Sequence, residues 1–225
     1  MDTNEFSKLI LYEDNHLLVV CKPAGILSQG DNTIRANMLD LGKYYLKTKY
    51  QKTGDAYLGL VHRLDKSVGG VLVFAKTSKS ARRLSEQFRN RSTRKIYLAA
   101  VEGVPFKDES NIETCLIQSG AKTEIVPQET PGARLGSMYY KVIKTYSNFS
   151  ILEVELFTGY RHQIRVQLSS IGCPVAGDKL YGAKTPHEKG AIGLFARSLT
   201  IEHPVKHNEI TFEAVPSDIK WFIPG

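Results

Sequence analysis

An α+β fold, with a large mixed but mostly antiparallel sheet and helices packed against it, is the expectation for this chain of 225 residues. Three observations carry it. Strand-like runs are numerous and clustered, amphipathic helical stretches are few, and the two do not alternate in the regular βαβ rhythm of a parallel sheet. The length suits one domain with a sizeable core, and a 42% hydrophobic fraction excludes a wholly disordered or fibrous chain. No repeat, low-complexity tract or long linker divides residues 1–225, so a single domain is expected.

Taken in order, the first strand is expected at Leu17–Cys21. Ile34, Met38, Leu41 and Tyr45 then recur at i, i+4, i+7 and i+11 behind Asn32-Thr33, predicting a capped amphipathic helix. Val71–Ala75 is apolar throughout, as suits a strand covered on both faces. Ala81, Leu84 and Phe88 predict a second helix, capped at Ser78. Strands follow at Ile96–Val101, Glu124–Val126, Tyr139–Ile143 and Ile151–Phe157, the last placing Glu153 and Glu155 on one alternating face. Ile164, Leu168 and Ile171 predict a helix that stops at Gly172. Strands at Gly193–Ile201 and Ile210–Ala214 and a short helix over Pro216–Phe222 complete the reading. The polar stretches Gln29–Thr33, Gln128–Gly136 and Lys184–Gly190 are read as surface loops.

The charge balance, 30 Lys+Arg against 23 Asp+Glu for a net +7, points to a polyanionic partner without saying which. No stretch approaches the roughly 18 apolar residues of a membrane span. Leu17–Cys21 is too short for a signal-peptide core and follows acidic residues instead of basic ones. Cys21, Cys115 and Cys173 lie far apart without CxxC spacing, which suggests neither a disulfide framework nor a zinc site. Reduced thiols in a cytoplasmic protein are the plain expectation.

Three segments concentrate polar chemistry. Lys76–Lys95 holds eight bases and the single acid Glu86. On a helix whose core stripe is Ala81, Leu84 and Phe88, the side chains of Lys79, Arg82, Arg83 and Arg89 face mostly away from the core. A phosphate-binding surface and an ordinary solvated face are the two readings, and the charge imbalance favours the first. Tyr97 follows on a strand, where its ring either stacks on a base or packs in the core.

The second segment runs from Leu60 to Gly70 as Leu-Val-His-Arg-Leu-Asp-Lys-Ser-Val-Gly-Gly, and presents Asp65 at the end of a turn. An Asx turn, or an ion pair with Arg63, would explain that aspartate without catalysis. The third runs from Thr158 to Arg165, where Arg161, His162 and Arg165 oppose the dipole at a helix start. Arg165 neighbours the core-facing Ile164, and a buried arginine there requires a carboxylate or phosphate.

These segments, in this order, resemble the RluA family of RNA pseudouridine synthases. The resemblance begins at Val19-Val20-Cys21-Lys22-Pro23-Ala24-Gly25 and continues through His62-Arg63-Leu64-Asp65 with Gly70 and Ala75-Lys76. It takes in Lys95-Ile96-Tyr97-Leu98-Ala99 with Val101 and Gly103, then Gly159 and His162-Gln163-Ile164-Arg165-Val166. It closes with Gly172, Pro174, Gly177-Asp178, Tyr181-Gly182 and His203-Pro204. Val68-Gly69 and Tyr160-Arg161 depart from the family's usual residues, which bears on subfamily and RNA specificity more than on activity. The first motif begins near residue 19, leaving no room before it for the S4-like RNA-binding domain that many members carry.

The resemblance implies the pseudouridine synthase fold and the isomerisation of uridines in ribosomal or transfer RNA. It makes Asp65 the catalytic aspartate, Arg165 its ion-pair partner, Tyr97 the residue that stacks on the uracil, and Arg63 a contributor to displacing the target nucleotide. No metal or nucleotide cofactor is called for, no protein partner is implied, and a monomer is expected. His62 and His162 are expected to serve as structural hydrogen-bonding groups. The competing classes are a noncatalytic RNA-binding protein that keeps the fold and, more distantly, a glycosyl-bond hydrolase using Asp65 and a second carboxylate.

Overall fold

The computed structural model describes residues 3–30, 36–186, 190–216 and 222. The chain opens with helix α1 (Thr3–Ser7), strands β1 (Ile10–Glu13) and β2 (Leu17–Lys22), and helix α2 (Met38–Lys49). Strands β3 (Gly59–Leu60) and β4 (Gly69–Ala75) lead to helix α3 (Ser78–Asn90). Five strands follow: β5 (Arg94–Glu102), β6 (Glu109–Ser119), β7 (Lys122–Val126), β8 (Arg134–Thr145) and β9 (Phe149–Leu156). Helix α4 (Gln163–Ser170), a 3-10 turn over Lys179–Tyr181, β10 (Leu194–Glu202) and β11 (Glu209–Glu213) complete the described elements. The class is α+β with few helices, as expected, and the strand pairs described below are all antiparallel.

The chain divides into two compact units, Met1–Thr93 with Ser198–Val215, and Arg94–Arg197 with residues 216–225. In the first unit β2 pairs with β1 and, in register from Leu17↔Ala75 to Lys22↔Gly70, with β4. Every residue of β4 is buried, which is why its apolar run shows no alternation. The Ser198–Glu202 part of β10 pairs with β11. Helix α2 packs close at Gly42, where a Cβ would stand 2.6 Å from Cδ2 of Leu58, so any larger residue there would displace that side chain.

In the second unit the strand order is β5-β9-β8-β6-β7. Ile112, Met138, Leu156, Val154 and Leu152 are buried on one face. Gln167 of α4 reaches into that face, donating to Thr114 Oγ1 at 2.9 Å and to the Gly136 carbonyl at 3.0 Å. The outward side chains of β9 are half-buried and include Glu153 and Glu155, matching the expected alternation.

Several boundaries differ from expectation. The cap of α2 is Asn37, whose side chain accepts the Asp40 N–H at 3.1 Å; Asn32, Thr33 and Ile34 lie outside the described residues. The cap of α3 is Thr77 instead of Ser78, because Thr77 holds the extended backbone that lets its hydroxyl accept from the Ser80 N–H. β8 begins at Arg134, inside the stretch read as a loop. β1, β3 and the eleven-residue β6 were not foreseen. In β6 only Ile112 and Leu116 are buried, and a spacing of four suits helix and strand alike. The terminal helix expected over Pro216–Phe222 falls mostly outside the described residues.

A charge network holds the first unit together. Glu13 accepts from Tyr45 Oη (3.0 Å), Lys49 Nζ (2.7 Å), Tyr50 Oη (2.7 Å) and Lys76 Nζ (2.8 Å). Burial pushes its pKa up, but the bonds from Lys49, Lys76, Tyr50 and Tyr45 outweigh that and lower it from 4.5 to about 2. Asp14 is lowered as well: against burial it accepts the His16 and Leu17 N–H groups, His203 Nε2 and the Tyr12 hydroxyl. Both folded pKa values lie below the unfolded ones, so the stabilisation is fully present above about pH 5. It is lost as the pH falls through the folded values. Glu13 alone contributes up to about 3 kcal/mol over that range. Urea melts are expected to show stability falling steeply between pH 5 and 2 in the native chain, and less steeply in Glu13→Gln.

Candidate active site

In the first unit, the turn bearing Asp65 is fixed from beneath. The Asp65 carbonyl accepts the Val68 N–H at 3.1 Å, closing the turn ahead of β4. Ser28 Oγ donates to the Leu64 carbonyl at 2.8 Å and accepts its N–H at 3.1 Å, and the Gly25 N–H bonds the Lys66 carbonyl at 2.7 Å. The 23–28 segment after β2 is thereby tied to the turn. Asp65 itself is half-buried, Leu64 beside it is buried, and Arg63 is exposed.

Lys22 adds a feature the sequence did not single out. Its side chain is fully buried at the end of β2, and its ammonium donates to the carbonyls of Ile26 (2.7 Å), Pro23 (2.9 Å) and Lys66 (3.4 Å). Burial lowers its pKa from 10.5 to about 7, while the negative charge of Asp65 opposes the fall. The Lys-Pro pair was visible as part of the resemblance, but only burial shows that the amine serves the turn.

His62 accepts the Val73 N–H through Nε2 at 3.1 Å and stacks on Phe88 of α3, ring centroids 4.7 Å apart. This is the structural hydrogen-bonding role expected of it. On α3, Lys79, Arg82 and Arg89 are exposed and make no ion pair among the described residues. Arg83 differs, since its guanidinium is half-buried and donates to the Pro204 carbonyl. Lys76 and Arg94 are also engaged internally, with Glu13 and Glu155, so the eight-base run offers fewer free cations than its sequence suggests.

In the second unit, α4 carries Arg165 at 6% exposure, and its partner there is Asp178 at 2%. The two form a bidentate pair, Nε to Oδ2 at 2.6 Å and Nη2 to Oδ1 at 2.8 Å. A buried arginine with a carboxylate was the expectation; Asp178 as that carboxylate within the unit was not. The Gly177-Asp178 motif was the available signal. The guanidinium also lies over the Tyr181 ring, 5.0 Å from its centroid.

Tyr181 extends this bracing. Its hydroxyl accepts the Thr123 N–H at 2.8 Å and lies 2.9 Å from His162 Nδ1. Arg161 donates to the carbonyls of Gly120 and Ala121, both at 3.1 Å, clipping the β6–β7 turn to the start of α4. His162 adopts a left-handed backbone with φ of 55° and serves as the cap of α4 without a side-chain capping bond. A non-glycine residue in that region is strained, which suits a site held by its surroundings. The cations that oppose the helix dipole are thus spent on carbonyls, a carboxylate and a hydroxyl. Tyr97 is half-buried on β5 opposite Val154, so it shares the sheet face that α4 covers. Among the described residues, no group of three or more His, Cys, Asp or Glu side chains is placed to hold a metal ion.

Comparison with known proteins identifies the family and the fold. Residues 16–170 match the RNA pseudouridylate synthase family. The ribosomal large subunit pseudouridine synthase C of Rickettsia bellii is 31% identical over 212 residues, 92% of this chain and 68% of that protein. The ribosomal large subunit pseudouridine synthase D of Zymomonas mobilis is 32% identical over 227 residues, 94% and 70% respectively. Among solved structures, human RNA pseudouridylate synthase domain containing 4 superposes with a TM-score of 0.80 at 24% identity, covering 95% of this chain and 90% of that one. That likeness establishes the fold. The chain belongs to the RNA pseudouridylate synthase family, of RluA type, and is an RNA pseudouridine synthase, an isomerase whose substrate is RNA. No helix is long and apolar enough to cross a membrane among the described residues.

Proposed function

We propose that residues 1–225 act as one catalytic domain that isomerises specific uridines of ribosomal RNA, with Asp65 as the catalytic carboxylate. The observation that carries the assignment is the turn bearing the half-buried Asp65, whose backbone is held by Ser28 and by the buried Lys22 ammonium, with Lys22 close enough to feel the Asp65 charge. The reaction breaks the bond from N1 to C1′, turns the uracil, and joins C5 to C1′, the C5 proton being lost to solvent and a proton being gained at N1. Nothing is oxidised and no group leaves. An ionised carboxylate can attack the ribose, attack the uracil, or abstract a ribose proton, and each path starts from the same charge state.

In this reading Arg165 serves the Asp65 carboxylate, with its plane fixed from behind by Asp178 and Tyr181. Tyr97 receives the uracil and Arg63 helps displace the target nucleotide. The target must leave its stack, and the unstacking cost of a few kcal/mol is offset by stacking and phosphate contacts. Ribosomal RNA is preferred over transfer RNA as substrate because the similar proteins of Rickettsia and Zymomonas bear ribosomal large subunit names. The enzyme is read as a monomer working in the cytoplasm, in line with its separated thiols. Mapping pseudouridines in ribosomal and transfer RNA with and without this gene tests the reading. Loss of defined large-subunit sites supports it, and an unchanged map in both RNAs contradicts it.

Lys79, Arg82 and Arg89 supply the phosphate-binding face of α3 in this reading. Neutralising Arg82 and Arg89 together, as glutamines, is expected to reduce the slope of log affinity against log salt by about 1.4 to 1.8. Arg83 is excluded from this pair because its guanidinium is committed to the Pro204 carbonyl. An unchanged slope would return the face to plain solvation.

A further inference from the structure

We infer that Tyr57 is a stacking subsite for an unpaired nucleobase of the bound RNA, next to the phosphate-binding face of α3. The inference rests on the reading of α3 given above. Tyr57 lies just before β3 and is 48% exposed, although it is an aromatic residue in an ordered segment.

The hydroxyl end of the ring lies close to Gly59 and near α3. A Cβ on Gly59 would stand 3.0 Å from the Tyr57 hydroxyl oxygen, 3.5 Å from its Cζ and 3.0 Å from the Ala81 methyl of α3. The hydroxyl end of the phenol therefore lies close to the bare Gly59 backbone, which also faces Ala81 of α3. Arg82 follows Ala81 on the helix, and its side chain is exposed and makes no ion pair among the described residues. Tyr57 also heads the segment that runs through His62 and Arg63 to Asp65, eight residues further on.

An exposed ring near a helix that carries exposed cations is suited to an unpaired nucleotide. The cations take its phosphate and the ring takes its base. Stacking is tolerant of base identity, so this subsite would contribute affinity for single-stranded segments and little sequence selectivity.

Two RNAs that contain no uridine test the assignment by equilibrium binding to the full chain. One is an unstructured oligoadenylate, and the other is a blunt duplex without unpaired bases. Tyr57→Ala is expected to weaken oligoadenylate binding about tenfold, to leave the slope of log affinity against log salt unchanged, and to leave duplex binding unchanged. Tyr57→Phe should bind both RNAs as the native chain does. Tyr57→Leu, which keeps bulk over Gly59, should reproduce the alanine loss and guards against a folding defect in the smaller variant. Native oligoadenylate affinity in both Tyr57→Ala and Tyr57→Leu would overturn the stacking subsite alone. Failure of the native chain to bind either RNA would overturn the α3 reading together with it.

Discussion

Asp65→Asn is expected to lower pseudouridine formation by at least about 10⁴-fold, the scale on which an essential catalytic group is missed, while RNA affinity stays within a few-fold. Asparagine is nearly isosteric, so the turn should survive. Its stabilising bonds come from the Asp65 carbonyl, Ser28, Gly25 and Lys22, and none of these uses the carboxylate oxygens. What is lost is the negative charge and the nucleophilic or basic oxygen, without which none of the three paths can start. Asp65 also helps keep the buried Lys22 ammonium charged, so Asn should make that amine easier to deprotonate. Product formation on a uridine-containing substrate and affinity for the same RNA, measured side by side, check the claim. Turnover within a hundredfold of native would remove Asp65 from its role.

The second large effect concerns the pair behind Arg165. Removing the carboxylate with Asp178→Ala leaves a buried guanidinium without its bidentate partner, and breaking a buried pair from one side costs about 3–5 kcal/mol. For a chain of this size that is a fall in melting temperature on the order of 10 °C. Arg165→Lys behaves differently, because it keeps the charge but cannot reproduce the planar fork or the contact over Tyr181. Its expected signature is a severe fall in kcat with a smaller loss of stability. Calorimetry on both variants together with single-turnover rates separates the two effects. A stable Asp178→Ala protein would argue that the pair is not the buried brace described, and native rates for Arg165→Lys would argue that the fork has no catalytic use.

The sequence was most legible where chemistry and pattern coincide. β4 announced itself through the apolar run Val71–Ala75, and α3 through Ala81, Leu84 and Phe88 despite its load of arginine. Asp65, Tyr97 and Arg165 were named because ordered motifs flank them, and burial then explained why Arg165 needs a carboxylate. β6 escaped because Ile112 and Leu116 fit a helix as well as a strand, and its other positions are polar.

What the sequence hid was the use of individual polar atoms. Nothing in the one-dimensional pattern says that Lys22 turns inward to three carbonyls, that Arg83 is spent on Pro204, or that Gly59 makes room for Tyr57. Each depends on contacts between segments distant in sequence, where a side chain of ordinary surface type finds enough partners to be buried. The charge run of α3 therefore overstated its free cations, and the apolar start of β2 concealed a buried amine at its end.

The central claim, that this chain isomerises uridine through a C5-to-C1′ bond, is tested most directly by tritium release from RNA labelled at C5 of uridine. The native chain is predicted to release tritium to solvent in proportion to the pseudouridine formed, with no free uracil. Binding without release would make it a noncatalytic RNA-binding protein, and free uracil as product would make it a glycosyl-bond hydrolase; either result would contradict the account.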